Sequence, residues 1–243
     1  MTILRFYYES IDSTMDQAKR LVDQEVDFRQ EFLIIASSQS AGRGRHGRVW
    51  HSDVGNVYLS FVVKGVQPQQ LSQFALLWGV ILQRTISSFT SSLVQCKWPN
   101  DVLLNGEKVA GILIETYKDI LIVGVGVNVA HAPSGVQFPA TFLNRQQENA
   151  IVPADLIDKL VDMYIKQRKN WDDNGFEDIQ SAWLQAAWRL GDEITIRQED
   201  RDVVGIMETI DEAGALHVWT HEGHSVQLYV GDLILGDPHA AHH

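Results

Sequence analysis

Apolar and polar positions change period several times along the chain, and each change predicts an element. Residues 3 to 9 (ILRFYYE) read as a strand. Asp12 and Ser13 then offer capping oxygens to a helix whose Met15, Ala18, Leu21 and Val22 share one face. Ser13 with Asp16 outlines a capping box. FLIIASS, from Phe32, is a buried strand that runs into GRGRHGRVW (42–50), and VYLSFVV (57–63) is the strand beyond it. From Leu71 to about Phe89, apolar residues at 71, 74, 75, 78, 81 and 82 fit a core helix. LVQCKW returns as a strand ended by Pro99. Asn105-Gly106 between two apolar runs predicts a hairpin, because both residues tolerate positive φ. ILIVGVGVNVA, from Ile120, completes an antiparallel meander.

Pro153 opens a helix over LIDKLVDMYIKQRKNW, and a second helix, FEDIQSAWLQAAWRL, is expected to run until Gly191. The texture then changes. Residues 191–236 hold about five short β-runs parted by turns such as DEAG and HEGH, the pattern of a small barrel. The expected organisation is therefore a domain over 1–190, a small β-domain over 191–236, and a tail, 237–243, too short for structure.

Composition narrows the function classes. The chain has 243 residues, 45% of them hydrophobic and 21% charged, which fits a globular protein with a substantial core. No apolar run approaches the ~18 residues of a membrane span, and the charged N-terminus does not resemble a signal peptide. A cytoplasmic location, without a membrane partner, is expected. The single cysteine, Cys96, excludes an intramolecular disulfide and a multi-cysteine zinc site. None of the nine histidines falls at a metal-ligand spacing, so no structural metal is expected. A net charge of −11 opposes general polyanion binding, which makes a local cluster of three arginines in GRGRHGRVW informative.

That loop also spells G-x-G-x-x-G, but the residues after it lack a helical period, and the dinucleotide fingerprint requires a helix N-terminus there. Guanidinium forks and glycine backbone can still cradle phosphates, and Trp50 offers a stacking surface. The competing reading is a solvated surface turn. In KWPNDVLLNGEKVAGILIE, Lys97, Asn100, Asp101 and Lys108 punctuate apolar strands, and Lys108 precedes a buried run that aims it at a cleft. The glycines of GVGVNV, which ends at Asn128 and Val129, fit either a ligand lying along the strand or a crowded sheet contact.

Together and in this order, DST near the N-terminus, SSQSAGRGRHGRVW, KWPNDV, EKVAGILIE and GVGVNV resemble the biotin protein ligases over essentially the whole chain. The resemblance implies an α+β fold: a mixed, largely antiparallel sheet flanked by helices, like class II aminoacyl-tRNA synthetases, with a small C-terminal SH3-like β-barrel. It implies activation of biotin by MgATP to biotinyl-5′-AMP, then transfer to a lysine of a carboxylase's biotin carboxyl carrier domain. Carried over residue by residue, Ser13, Thr14, Gln39, Gly42, Arg43, Arg45, Lys108 and Gly111 form the biotin-binding group. Arg43, Arg45 and Lys108 are the catalytic cations. Arg48, Trp50, Asn100, Asp101 and Asn128 contact the nucleotide, with Asp101 either holding magnesium or orienting Lys108. Met15 stands where the family often has asparagine, and His46 where it often has arginine. With the first motif at Ser13, no DNA-binding helix-turn-helix is expected; a homodimer through a sheet edge is compatible with the pattern. The alternatives are a lipoate-protein ligase, which shares the core logic, and a non-catalytic biotin sensor.

Overall fold

Two sheets carry the chain, and their topology explains where the motifs meet. In the computed structural model, residues 3–24, 30–136, 138–146 and 150–234 are described; the expected tail and the last two residues of the expected β-domain lie outside them. The larger sheet contains β1 (Leu4–Ile11), β2 (Phe32–Gln39), β3 (Val57–Val63), β4 (Val94–Lys97), β5 (Asp101–Leu104), β6 (Glu107–Tyr117) and β7 (Ile120–Val127), in the order β1-β2-β3-β7-β6-β5-β4. Only β1 and β2 are parallel, and helix α1 (Thr14–Asp23) lies in the crossover that a parallel pair requires. The other pairs are antiparallel, and β4 to β7 form the predicted meander. Asn105 (φ 51°) and Gly106 (φ 83°) make the hairpin turn between β5 and β6 with the positive φ values the sequence called for.

The two faces of this sheet are covered differently. Helices α2 (Leu71–Ser87), α3 (Pro153–Asn174) and α4 (Glu177–Gln185) cover one face with the main core. There Trp78 and Tyr164 stack at 5.0 Å and Phe61 lies 4.8 Å from each. On the other face, Met15 and Ala18 of α1 pack on Phe32, Ile34, Val62 and Ile122. Side chains alternate along β7, so Val123, Val125 and Val127 join the helical core, while Gly124 and Gly126 open toward the α1 face. The glycines therefore create space on that face alone.

The smaller sheet is antiparallel, with β8 (Glu193–Arg197), β9 (Asp202–Ile210), β10 (Leu216–Thr220), β11 (Ser225–Leu228) and β12 (Asp232–Ile234) in the order β11-β10-β9-β8-β12. Its buried Ile194, Ile196, Met207, Leu216 and Leu233 are continuous with the main core. Because β12 returns to pair with β8, Gly231 and Asp232 come to lie beside the loop after β2.

Two local expectations need correction. The helix expected to reach Gly191 ends at Gln185, because the backbone of Ala186 to Trp188 bonds to β4 instead: Cys96 donates to the Ala186 carbonyl, and Trp188 donates to the Cys96 carbonyl, both at 2.8 Å. The capping box is half formed. Ser13 accepts from the Asp16 amide, but the Ser13 amide is taken by Asp12 Oδ1 at 2.7 Å, and the Asp16 carboxylate turns to Arg43.

Candidate active site

On the α1 face, the start of α1 and the end of β2 meet in a polar cluster. Thr14 is buried, and both its amide (2.8 Å) and its hydroxyl (3.1 Å) donate to Gln39 Oε1. Ser60, on β3, donates to Thr14 Oγ1 at 2.8 Å. Gln39 Nε2 donates to Ser52 Oγ at 3.0 Å, and Ser52 in turn donates to the Trp50 carbonyl at 2.9 Å. Gly42 is required beside them, since a Cβ there would sit 2.5 Å from both Ser52 Oγ and the Trp50 carbonyl. Of the expected biotin-binding residues, Ser13, Thr14, Gln39 and Gly42 are brought together here.

A cationic cluster surrounds Asp101 at the start of β5. The Lys108 ammonium stands 2.6 Å from Asp101 Oδ1, and that of Lys97 3.6 Å from Oδ2. Arg45 adds a third positive charge, donating to Asn100 Oδ1 at 3.4 Å and to Asp232 Oδ1 and the Gly231 carbonyl at 3.0 Å each. Burial pushes the Asp101 carboxyl up, but Lys108 and Lys97 outweigh it and hold the group below the ordinary carboxylate range. Burial lowers Lys97 and Arg45 below their usual values despite the nearby carboxylates. Lys108, Lys97, Arg45 and, at the rim, Arg48 thus face two carboxylates, Asp101 and Asp232, leaving excess positive charge at a partly buried surface.

Trp50 links the two clusters. Its indole lies on the bed made by Gly111 and Gly126, where a Cβ would come within 2.9 Å and 2.4 Å of the ring, and the Lys108 ammonium lies 5.3 Å from the ring centroid. The indole Nε1 is buried without a hydrogen-bond partner. Side chains from the loop and from α1 lie on the glycine bed of GVGVNV, Trp50 over Gly126 and Met15 over Gly124. An apolar Met15 suits that position, filling space over a glycine rather than offering a polar contact.

The structure does not gather every expected residue. Arg43 is paired with Asp16 (Nη2 to Oδ1, 2.8 Å) and lies 3.6 Å from Glu115, so its guanidinium is directed to α1 and β6 rather than to Asp101. Arg48 is exposed and pairs with Asp232. Asn100 Nδ2 donates to the Ile112 carbonyl at 2.6 Å, fixing the turn before β5. Asn128 is buried and donates to the Thr141 carbonyl at 3.0 Å, holding the segment after β7. His46 is exposed at φ 54°, 3.9 Å from Asp232. Sequence reasoning left Lys97, Ser52 and Asp232 out of the site. Lys97 was marked by its polarity in KWPN, whereas Asp232 is far away in sequence and had no local signal. Among the described residues, no group of three His, Cys, Asp or Glu side chains is placed to hold a metal ion, and no helix is long and apolar enough to cross a membrane.

Comparison with known proteins places this arrangement. A model of the biotin/lipoate A/B protein ligase family matches residues 7–130, and one of the biotin protein ligase C terminal domain matches residues 190–236. The bifunctional ligase/repressor BirA of Bacillus subtilis is 31% identical over 243 residues, covering 95% of this chain and 73% of its own length. The chain belongs to the biotin protein ligase family. Biotin--[acetyl-CoA-carboxylase] ligase of Paracoccus denitrificans, another protein similar to this ligase, is 35% identical over 75% of this chain and 82% of its own. Among solved structures, the biotin protein ligase from Aquifex aeolicus in complex with biotin and ATP superposes with a TM-score of 0.83 at 27% identity, covering 95% of this chain and 97% of that one. The ligase thus shares the two-sheet architecture of that family along nearly its whole length.

Proposed function

We propose that the α1 face of the larger sheet is where this ligase joins biotin to AMP and passes the biotinyl group to a lysine of a carboxylase carrier domain. The observation that carries the reading is the position of Lys108, 2.6 Å from the partly buried Asp101 and over the edge of the glycine bed, with Arg45 held nearby on Asn100 and Asp232. A biotin carboxylate oxygen attacks the α-phosphorus of ATP; the new oxygen–phosphorus bond forms as the bond to pyrophosphate breaks. Both partners are anions, so fixed cations lower the barrier. Lys108 is assigned to the biotin carboxylate and α-phosphate, and Arg45 to the phosphates. Thr14 and Gln39, with Ser13 and Gly42, are assigned to the ureido ring, and Gly111 to the channel between. Trp50, Asn100, Arg48 and Asn128 are assigned to the nucleotide, and Arg43, together with Arg45, to the closing of the loop over biotin. In the second step a carrier lysine attacks the acyl carbon and AMP leaves.

Magnesium enters with ATP as part of the substrate, and the residues fit a metal held mainly by phosphate oxygens. Of the cluster's two carboxylates, Asp101 and Asp232, Asp101 is the one assigned to the metal, and Mg²⁺ commonly takes one or two carboxylates with the phosphates. Its pairing with two ammoniums supports the role of orienting Lys108. Residues 1–190 are assigned the catalytic role and 191–236 a supporting one, in a cytoplasmic enzyme. The deciding experiment supplies biotin or lipoate, ATP and either a biotin carrier or a lipoyl domain, with and without Mg²⁺, and reads the mass shift. A Mg²⁺-dependent biotinyl addition to the biotin carrier alone is expected; lipoyl addition or no addition contradicts the proposal.

A further inference from the structure

The polar cluster at the end of β2 has a direction that the atoms themselves dictate. A main-chain amide can only donate, so the Gln39 atom facing the Thr14 amide at 2.8 Å is its oxygen, and the Thr14 hydroxyl 3.1 Å from that oxygen must donate too. The Ser60 hydroxyl, 2.8 Å from Thr14 Oγ1, therefore donates to Thr14. At the other end a carbonyl can only accept, so Ser52 donates to the Trp50 carbonyl at 2.9 Å and uses its lone pair for Gln39 Nε2 at 3.0 Å. Every donor points one way, from Ser60 through Thr14, Gln39 and Ser52 to the main chain of Trp50. Ser60, Thr14 and Ser52 are all buried, which keeps water from substituting for a missing link.

We infer that Ser52 is a positioning residue for biotin recognition. Resting on the assignment of Gln39 to the ureido ring, it holds the Gln39 amide so that the remaining Nε2 hydrogen is left for the ureido carbonyl, and it ties that amide to the backbone beneath the Trp50 indole. Gly42 packs against both partners of this tie, at 2.5 Å from Ser52 Oγ and 3.1 Å from Gln39 Nε2 for a notional Cβ, so the amide has no room to swing toward the loop. Without Ser52 Oγ, the Nε2 end loses its hydrogen bond to that hydroxyl, while the Oε1 end stays on Thr14.

The test compares the parent with Ser52→Ala, Ser52→Thr and Gln39→Ala, reading KM for biotin and for ATP, thermal midpoint, and the preference for biotin over 2-iminobiotin, in which an imine replaces the ureido carbonyl. Ser52→Ala is expected to raise KM for biotin about tenfold, the size of one well-placed hydrogen bond, and to reduce the preference for biotin over the imine. KM for ATP should stay within about twofold, and Ser52→Thr, which keeps the hydroxyl, should restore both readings. Equal changes in the two KM values, or a loss that threonine does not repair, overturns the inference in favour of a structural role. If Gln39→Ala is impaired and Ser52→Ala is not, the positioning role alone fails; a parent-like KM for biotin in Gln39→Ala removes the assignment beneath it.

Discussion

Arg45, in the loop after β2, donates to the Asp232 carboxylate of β12 at 3.0 Å, so a residue near the end of the chain holds one of the two cations assigned to the phosphates. Arg48 pairs with the same carboxylate. The smaller sheet therefore supplies the counter-anion of the arginine loop, and it brings Gly231 against Trp98 and Ile196 to do so.

Asp232→Asn is expected to release the loop while leaving both sheets folded. The lost charged hydrogen bonds correspond to about 1–3 kcal/mol, read as a lower thermal midpoint. Trypsin should cut faster after residues 43, 45 and 48. Unchanged cleavage there would show that Asp232 does not restrain the loop.

Gly126→Ala tests the bed beneath Trp50. The new Cβ would meet the indole at 2.4–2.6 Å, so the ring must leave. Overpacking of this kind destabilises by about 1–3 kcal/mol. Acrylamide quenching of tryptophan fluorescence should increase, and adding Trp50→Ala should recover the lost stability. A double variant no more stable than Gly126→Ala alone would place the clash elsewhere.

Asp101 gives the pH prediction. Lys108 and Lys97 hold its folded carboxyl below the ordinary value despite burial, so the pair stabilises the fold above the unfolded pKa of about 3.9. That contribution is lost as pH falls below about 4 and through the lower folded pKa. Asp101→Asn removes the charged partner of two ammoniums at neutral pH, a loss of about 1–3 kcal/mol at this partly buried site, and should flatten the acid limb of a plot of unfolding free energy against pH. An acid limb identical to the parent's would exclude Asp101 from the linkage.

On the proposed assignment, closing of the arginine loop shields from water a mixed anhydride that hydrolyses when exposed. Arg45→Gly removes the loop's ties to Asn100, Gly231 and Asp232. Biotinyl-adenylate should still form but escape to solution, detected by trapping it on a filter-separated acceptor. Retention equal to the parent's would contradict that role for Arg45.

How much of this was legible in the sequence depended on the range of the interaction. The Asn105-Gly106 hairpin and the α1 N-cap at Ser13 are local, and the residues that form them carry the whole signal. Gly124 and Gly126 announced a close approach within β7, but not what approaches, because the answers are distant in sequence: Met15 of α1 over Gly124 and the Trp50 indole over Gly126. Ala186 and Ala187 are the best of helix formers, yet the backbone from Ala186 to Trp188 bonds to β4, a tertiary choice that propensity does not encode. For the same reason the sequence showed three arginines in one loop but not their separate partners: Asp16 and Glu115 for Arg43, Asp232 for Arg45 and Arg48.

Pyrophosphate release with biotin and ATP, without any carrier domain, most directly tests the claim that Lys108 supplies the charge for adenylation. Lys108→Met should slow release at least about 100-fold, as for loss of a single electrostatic donor, with its circular dichroism spectrum and ATP affinity near those of the parent. Release at the parent's rate from a folded Lys108→Met protein would contradict the account.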